Sequence, residues 1–295
     1  MRDLEGVFVS VPTPYRGDVV ATDRLKANLE RWNQMGVSGY VVLGSTGEFP
    51  MLSDAERDGV LAAARDGISP EKAYLAGTGS HSTQHTIRQT RRAAELGADL
   101  ALVVTPHYFT KAFSDASSQV RHYLAVAEAA PIPIVLYNVP GNTGINMDPD
   151  TIARIAVHPN VCGIDDASGD ILQAAQTIHL TPKTFHVLVG AAAALLPSLA
   201  IGSAGGILAL AAVATRELVE VYTLARDGRW EEAKELAARV MRADRGVVSR
   251  YGIGGLKAAL DLQGLYGGPC RAPLPTPDGD GIEDIKESLA SAGLL

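Results

Sequence analysis

An apolar stretch in the middle of the chain ends in a carboxylate that is placed for acid–base chemistry. Residues 161–170 read VCGIDDASGD, a short strand followed by a polar, helix-starting turn. Alternation along a strand directs Gly163 and Asp165 into the interior, and Cys162 and Ile164 outward towards helices. A buried carboxylate is costly unless it is protonated, paired or hydrogen-bonded. Asp165 is therefore the candidate general acid or base.

A turn rich in glycine and hydroxyl groups could bind an anion. Residues 44–48 read GSTGE and follow the second apolar run. Gly44 and Gly47 let the backbone approach a ligand closely, while Ser45 and Thr46 offer hydroxyl donors near a helix start. A carboxylate fits such a turn. A tight turn with hydroxyl caps explains the same residues equally well.

Two tyrosines follow other apolar runs. Tyr137 begins YNVPGNTG at residues 137–144, and Tyr108 ends TPHY at residues 105–108. A phenol at a strand end can relay protons through a chain of hydroxyl groups, or it can simply close the top of a barrel. His107 is expected to be a loop residue. The histidines lack metal-ligand spacing, so the sequence predicts neither a catalytic metal nor another cofactor.

Apolar runs recur about every 25 to 30 residues and alternate with helical periodicity, the pattern of repeated βα units. Eight such strands predict an α/β fold, a (β/α)8 TIM barrel, with a helical C-terminal extension. The rival, a doubly wound open sheet, would carry a glycine fingerprint where the chain reads VPTPY at residues 11–15. The predicted strands are Val7–Val11, Gly39–Leu43, Ala73–Ala76, Leu100–Val104, Ile134–Tyr137, Val161–Ile164, His186–Val189 and Gly206–Leu208.

Helices are predicted between the strands and beyond the last one. Ser53 and Glu56 predict a capping box, and Asp166 and Ser168 are expected to cap the helix after the sixth strand. We expect residues 1–215 to form the barrel and residues 216–295 to supply its last helix and the extension. The predicted helices are Arg24–Met35, Asp54–Arg65, Thr83–Leu96, Ser117–Ala129, Pro149–Val157, Ile171–Ile178, Ala191–Ile201, Arg216–Asp227, Glu231–Arg245, Gly254–Leu262 and Gly281–Ala292.

Composition limits the class of partner. A net charge of −7 without clustered Lys and Arg argues against nucleic acid. No apolar run reaches transmembrane length, and residues 1–5 lack a signal-peptide pattern. Cys162 and Cys270 do not make a disulfide framework. We expect a cytoplasmic protein whose partner is a small-molecule carboxylate or oxo acid.

Four segments together resemble the dihydrodipicolinate synthase / N-acetylneuraminate lyase family of (β/α)8 class I aldolases. They are GSTGE at 44–48, TPHY at 105–108, YNVPGNTG at 137–144 and GIDDASGD at 163–170. The runs GSTGEFPMLSDAER from Gly44, LAGTGSHSTQ from Leu75 and YGGPCRAPL from Tyr266 look closest to the 4-hydroxy-2-oxoglutarate aldolase branch. Such enzymes cleave that substrate to pyruvate and glyoxylate, and members are homotetramers or homodimers.

The resemblance implies roles for individual residues. Tyr137 would be the proton-relay phenol. Ser45 and Thr46 would bind the carboxylate of a 2-oxo acid, and Thr46 would pass protons towards Tyr137. Tyr108 would complete the hydroxyl chain from a neighbouring subunit. Asn142 stands where the synthase branch carries an arginine for a substrate carboxylate, which favours the aldolase branch. Gly190 and Ile207 align with backbone positions that line the pocket.

Position 165 departs from the family. The same segment there carries the lysine that forms a Schiff base with the 2-oxo acid, and a carboxylate cannot form that bond. Three explanations stay open: an engineered knockout of an ordinary aldolase, a divergent enzyme with Asp165 as general acid or base, or a pseudoenzyme that binds an oxo acid or a protein. Lys111 is the one obvious substitute amine, although a solvated loop lysine explains it more simply.

Overall fold

Eight parallel strands close into a barrel in the computed structural model, which describes residues 3–295. Met1 and Arg2, where the predicted barrel segment begins, lie outside the described residues. Each strand pairs with its neighbours in the chain, and the eighth pairs with the first. The (β/α)8 prediction is confirmed, and an open sheet is excluded. The strands are β1 (Gly6–Ser10), β2 (Gly39–Val42), β3 (Ala73–Gly77), β4 (Leu100–Val104), β5 (Ile134–Asn138), β6 (Val161–Asp166), β7 (His186–Val189) and β8 (Gly205–Leu208).

A helix follows every strand, and three more helices follow the barrel. Their ends lie within a few residues of the predicted ones, and Ser53 and Glu56 form the predicted capping box. Within residues 3–295, no helix is long and apolar enough to cross a membrane. The helices are α1 (Thr22–Asn33), α2 (Asp54–Gly67), α3 (Thr83–Glu95), α4 (Ala116–Ala129), α5 (Pro149–Ala156), α6 (Ile171–Leu180), α7 (Ala192–Ala200), α8 (Thr215–Arg226), α9 (Trp230–Ala243), α10 (Arg250–Leu262) and α11 (Gly279–Ser291).

Short elements between these helices and strands were not predicted. A hairpin pairs Tyr15–Arg16 with Val19–Val20, single helical turns cover Thr110–Phe113 and Pro140–Thr143, and a π-helix covers Asp244–Ser249. Each is too short to produce a periodic pattern in the sequence.

Side chains of the described residues fill the inside of the barrel, and a small cavity remains near the carboxyl ends of the strands. The inner cluster includes Phe8, Val41, Leu75, Leu102, Val135, Leu188 and Ile207. Outward-facing residues such as Ile164 pack instead against the helices, together with Tyr123 and Ile152.

Strand β6 contains an irregularity that overturns one prediction. Cys162 belongs to the inner cluster rather than to the outer layer. The cause is a register shift: Ile134 pairs with Val161, whereas the next residue of β5 pairs with Gly163. The extra residue on β6 is a β-bulge, which breaks the alternation locally. Beyond the bulge, Ile164 faces outward and Asp165 faces the interior, as predicted.

The loop after β2 begins and ends in strained backbone. Leu43 and Glu48 have φ angles of 62° and 56°, in the left-handed region that costs non-glycine residues about 1–2 kcal/mol each. Such conformations persist only where surrounding contacts fix them. At Glu48, the fixing contact comes from the far end of the chain.

Glu48 and Lys257 form a buried ion pair between this loop and α10. Their side chains are 0% and 1% exposed, and the Lys257 amine donates to the Glu48 carboxylate and to the carbonyl oxygen of Pro269, at 2.8 Å. The other carboxylate oxygen accepts from the backbone N–H of Arg271 at 2.9 Å. Burial lowers the pKa of Lys257, and Glu48 opposes that shift. The C-terminal extension therefore holds the end of the loop in place.

Removing one member of this pair should be strongly destabilising, because the other charge remains buried without a partner. We expect Lys257→Met to lower the free energy of unfolding by about 3–5 kcal/mol in urea denaturation. The double variant Lys257→Met with Glu48→Gln should recover a large part of that loss. Lys234→Met, which breaks an exposed pair with Glu231, is the matched control and should change stability little. Equal losses in Lys257→Met and Lys234→Met would contradict the assigned role.

Candidate active site

A small cavity of about 40 Å³ lies inside the barrel near the carboxyl ends of its strands. Active sites of such barrels are built at this end. Five residues predicted from the sequence come together here: Thr46, Tyr137, Asp165, Gly190 and Ile207. The remaining lining residues are Ser10, Val41, Leu102 and Ala209.

Asp165 lies in the wall of this cavity as a buried carboxyl group, 2% exposed. Within residues 3–295, its Oδ1 atom has no hydrogen-bond partner. Burial, and then the negative charge of Asp166, raise the pKa of Asp165 well above its ordinary value. Both causes favour the neutral form, because no cation compensates the charge.

Asp166 has the opposite surroundings. Its carboxylate accepts hydrogen bonds from Asn138 (3.0 Å), Gln173 (3.1 Å) and the Ser168 N–H (3.0 Å), all outside the cavity. Asp166 therefore stabilises the loop after β6. The prediction that Asp166 and Ser168 cap α6 is wrong: Asp170 is the N-cap residue, and its carboxylate accepts from two backbone N–H groups of that helix.

Tyr137 is the neighbour of Asp165 across strands β5 and β6. Its hydroxyl lies 3.1 Å from the Ser45 hydroxyl, which links the phenol to the loop after β2. Burial, and then Asp165, raise the pKa of Tyr137, and the Ser45 hydrogen bond opposes the shift. The phenol thus stays protonated and able to donate. The family resemblance assigns proton transfer towards this phenol to Thr46, whereas in the structure the hydroxyl beside the phenol is that of Ser45.

The glycines at this site keep backbone segments close together. A Cβ at Gly190 would lie 2.4 Å from the Ala167 Cβ and 3.1 Å from Asp165 Oδ1. One at Gly47 would lie 3.1 Å from the Leu43 nitrogen, and one at Gly44 would lie 3.2 Å from a Val41 methyl group. A side chain at any of these positions would crowd the cavity or its loop.

A larger cavity of about 710 Å³ adjoins the inner one, and a third of about 420 Å³ adjoins that larger cavity. Thr46 and Ala209 line both the inner cavity and the larger outer one. Ser45 and Asn142 line both outer cavities. Asn142 therefore lies at the approach to the site, not beside Asp165.

Tyr108 and Lys111 lie apart from the inner cavity of this chain. Tyr108 is 74% exposed, and its ring lies 5.0 Å from the ring of Phe109 and 6.1 Å from that of His81. Lys111 is exposed on the helical turn Thr110–Phe113. The contribution of Tyr108 from a neighbouring subunit stays a prediction.

None of the described lysines lines the three cavities. Lys257 contacts the loop after β2, but Glu48 and the Pro269 carbonyl already bind its amine. Within residues 3–295, no three His, Cys, Asp or Glu side chains come together as a metal-binding group.

Sequence reasoning missed Ser10 and the Glu48–Lys257 pair. Ser10 is 8% exposed and lines the inner cavity. Alternation would have identified it, because Phe8, two residues earlier on β1, is in the inner cluster. No local pattern could have joined Glu48 to a lysine 209 residues away.

Replacing Asp165 should make stability less dependent on pH. Because the folded-state pKa is raised, ionisation favours the unfolded chain between the two pKa values, and stability falls as pH rises through that interval. Asp165→Asn should match the wild type near pH 4 and exceed it increasingly at higher pH, by at most about 1.4 kcal/mol per pH unit. Urea denaturation from about pH 5 to about pH 8 tests this. Asp170→Asn, on the exposed cap, is the control. A constant difference between wild type and Asp165→Asn across that range would refute the shift.

Proteins of similar sequence cover nearly the whole chain. A 4-hydroxy-tetrahydrodipicolinate synthase from Methanospirillum hungatei is 37% identical over 291 residues, which are 97% of this chain and 99% of that protein. Another from Methanothrix thermoacetophila is 38% identical over 288 residues, 97% of this chain and 96% of its own.

Solved structures of similar proteins also match nearly the whole chain. A dihydrodipicolinate synthase from Thermotoga maritima superposes with a TM-score of 0.94 at 30% identity, over 100% of both chains. The chloride-inhibited enzyme from Acinetobacter baumannii, in complex with pyruvate, also gives 0.94, at 31% identity over 99% of this chain and 100% of its own. The model of the Dihydrodipicolinate synthetase family matches residues 3–292. The chain therefore belongs to the Dihydrodipicolinate synthetase family.

Proposed function

We propose that the protein is a lyase-type enzyme that acts on a small 2-oxo acid or related carbonyl compound without a Schiff base at position 165. Asp165 is its general acid and base. The observation that carries the proposal is the buried Asp165 carboxyl, with an unpartnered oxygen, in the wall of a cavity that Tyr137 shares. In the motif GIDDASGD, this residue stands where the family's Schiff-base amine is expected.

The loop after β2 supplies the binding step. Ser45 and Thr46 donate their hydroxyls to the substrate carboxylate, and the strained backbone between Leu43 and Glu48 fixes their direction. This binding places the substrate carbonyl group between Tyr137 and Asp165. The affinity comes from hydrogen bonds made in a site that is largely shielded from water.

Proton transfer at the carbon next to the carbonyl is the common chemical step. Ionised Asp165 takes that proton, the C–H electron pair forms the carbon–carbon double bond of the enol, and the carbonyl oxygen accepts a proton from Tyr137. Ser45 then returns a proton to Tyr137 from the outer cavity. The same enol is the product of a retro-aldol cleavage, and its enolate form precedes loss of a hydroxyl group in a dehydration. The raised pKa makes Asp165 a stronger base, although a smaller fraction of it is ionised.

A second candidate function is oxo-acid binding without turnover, by an aldolase disabled at position 165. The observation that favours it is the intact Ser45–Tyr137 pair beside a residue that cannot form an imine. Asn142, at the approach to the site, suits the 4-hydroxy-2-oxoglutarate aldolase branch in that case. For either function we expect a homodimer or homotetramer, in which a neighbouring subunit contributes Tyr108.

Exchange of the methyl protons of pyruvate in D₂O, followed by proton NMR, tests general-base catalysis directly. The wild type should accelerate exchange, and the rate should rise with pH as Asp165 ionises. Asp165→Asn should lower it by about 10²–10⁴-fold. Asp170→Asn, which alters an exposed carboxylate of the same segment, should leave it unchanged.

The lysine variant separates the two candidate functions. If the wild type shows no exchange, while Asp165→Lys cleaves 4-hydroxy-2-oxoglutarate and is trapped with pyruvate by borohydride, the chain is a disabled aldolase. Equal exchange by the wild type and Asp165→Asn would exclude Asp165 as the base.

A further inference from the structure

The inner cavity is too small for a whole substrate. Its volume of about 40 Å³ has room for only a few groups the size of a water molecule. Only the reacting end of a molecule can enter it. The remainder must extend past Thr46 and Ala209 into the outer cavity of about 710 Å³, which these two residues also line. The side chains that line the outer cavity therefore determine which chemical groups the substrate can carry beyond its reacting end.

The outer walls are mainly apolar. The two outer cavities share Ile253 and Leu274, in addition to Ser45 and Asn142, so they form one continuous surface around the entrance. The other apolar side chains of this surface are Val248, Tyr251, Leu256, Pro275 and Pro277 on one side and Phe49, Pro50, Met51, Val104 and Val139 on the other.

The charged groups on these walls already have partners or carry the wrong sign for an anion. Arg250 is the one lysine or arginine among the lining residues, which also include His107, and Asp284 pairs with Arg250 at 2.9 Å. Tyr251 donates to the same carboxylate at 2.5 Å. Glu48 is held by Lys257, and Asp278 adds negative charge at the rim. A second carboxylate on the substrate would thus meet, among the lysines and arginines of the described walls, only Arg250, whose charge Asp284 already offsets.

An unusual stretch of backbone shapes one wall. The π-helix Asp244–Ser249 runs into α10, where Gly252 has φ 59° and ψ −141°. Six wall residues come from 248–254 around this break: Val248, Arg250, Tyr251, Gly252, Ile253 and Gly254. π-helical turns occur often at functional sites, where they redirect side chains.

We propose that the substrate is a monocarboxylic 2-oxo acid, or a related carbonyl compound, whose body is an apolar chain of several carbons held by the Ile253–Leu274 wall. This inference rests on the proposed function for the position of the reacting end. It separates the protein from enzymes whose substrates carry a second carboxylate, 4-hydroxy-2-oxoglutarate among them.

Isothermal titration calorimetry with matched oxo acids tests the wall. Pyruvate, 2-oxobutanoate, 2-oxopentanoate and 2-oxohexanoate differ only in methylene count, and we expect Kd to fall up to about four-fold per added methylene, from about 0.8 kcal/mol each. 2-Oxoadipate has the length of 2-oxohexanoate but ends in a carboxylate, and it should bind at least about ten-fold more weakly.

Three variants show whether the wall is responsible. Leu274→Asn should flatten the dependence on chain length, while Leu172→Asn, at a leucine that is 76% exposed elsewhere, should leave it unchanged. Asn142→Arg adds a cation at the entrance and should shift preference towards 2-oxoadipate. A Kd independent of chain length, or tighter binding of 2-oxoadipate by the wild type, would overturn the inference.

The two proposals fail separately. If binding tightens with chain length but no proton exchange occurs, the inference about the apolar wall is supported and the proposed enzymatic function is refuted. If proton exchange on pyruvate occurs but affinity does not increase with chain length, the enzymatic function is supported and the inference about the apolar wall is refuted. Absence of binding by every oxo acid would overturn both.

Discussion

A carboxyl group enclosed in the barrel must be neutral, paired or hydrogen-bonded, and no cation among residues 3–295 lies beside Asp165. That constraint determines the chemistry open to the site. An imine is not available from this residue, and the described lysines lie outside the cavity. A carboxyl with a raised pKa can instead give and take a proton, which is how buried acids serve in other enzymes.

Two buried carboxyl groups in this barrel have different roles because their surroundings differ. Glu48 is as buried as Asp165, yet it is bound by Lys257 and by the Arg271 N–H. It therefore serves as an anchor that holds the strained end of the loop carrying Ser45 and Thr46. Asp165 lacks such partners, so its proton is free to move. In the proposed function, the anchor would position the substrate and the unpaired acid would act on it.

The sequence was sufficient for the architecture and for the inner position of Asp165, because βα periodicity and strand alternation both depend on local patterns. The predictions from the sequence were wrong where the structure depends on contacts with other segments of the chain. The inward turn of Cys162 follows from a β-bulge whose register is set by the neighbouring strand. The cap of α6 is Asp170 rather than Asp166, because Asp166 is engaged by Asn138 and Gln173.

The central claim is that Asp165 holds a proton at pH values where an ordinary aspartate has lost it. Carbon-13 NMR of protein with labelled aspartate carboxyl groups measures this directly, with the Asp165 resonance assigned by its absence in Asp165→Asn. We predict a resonance that keeps the shift of a protonated carboxyl well above about pH 4 and moves only at higher pH. A resonance that is already ionised at about pH 4, like those of exposed aspartates, would contradict the account.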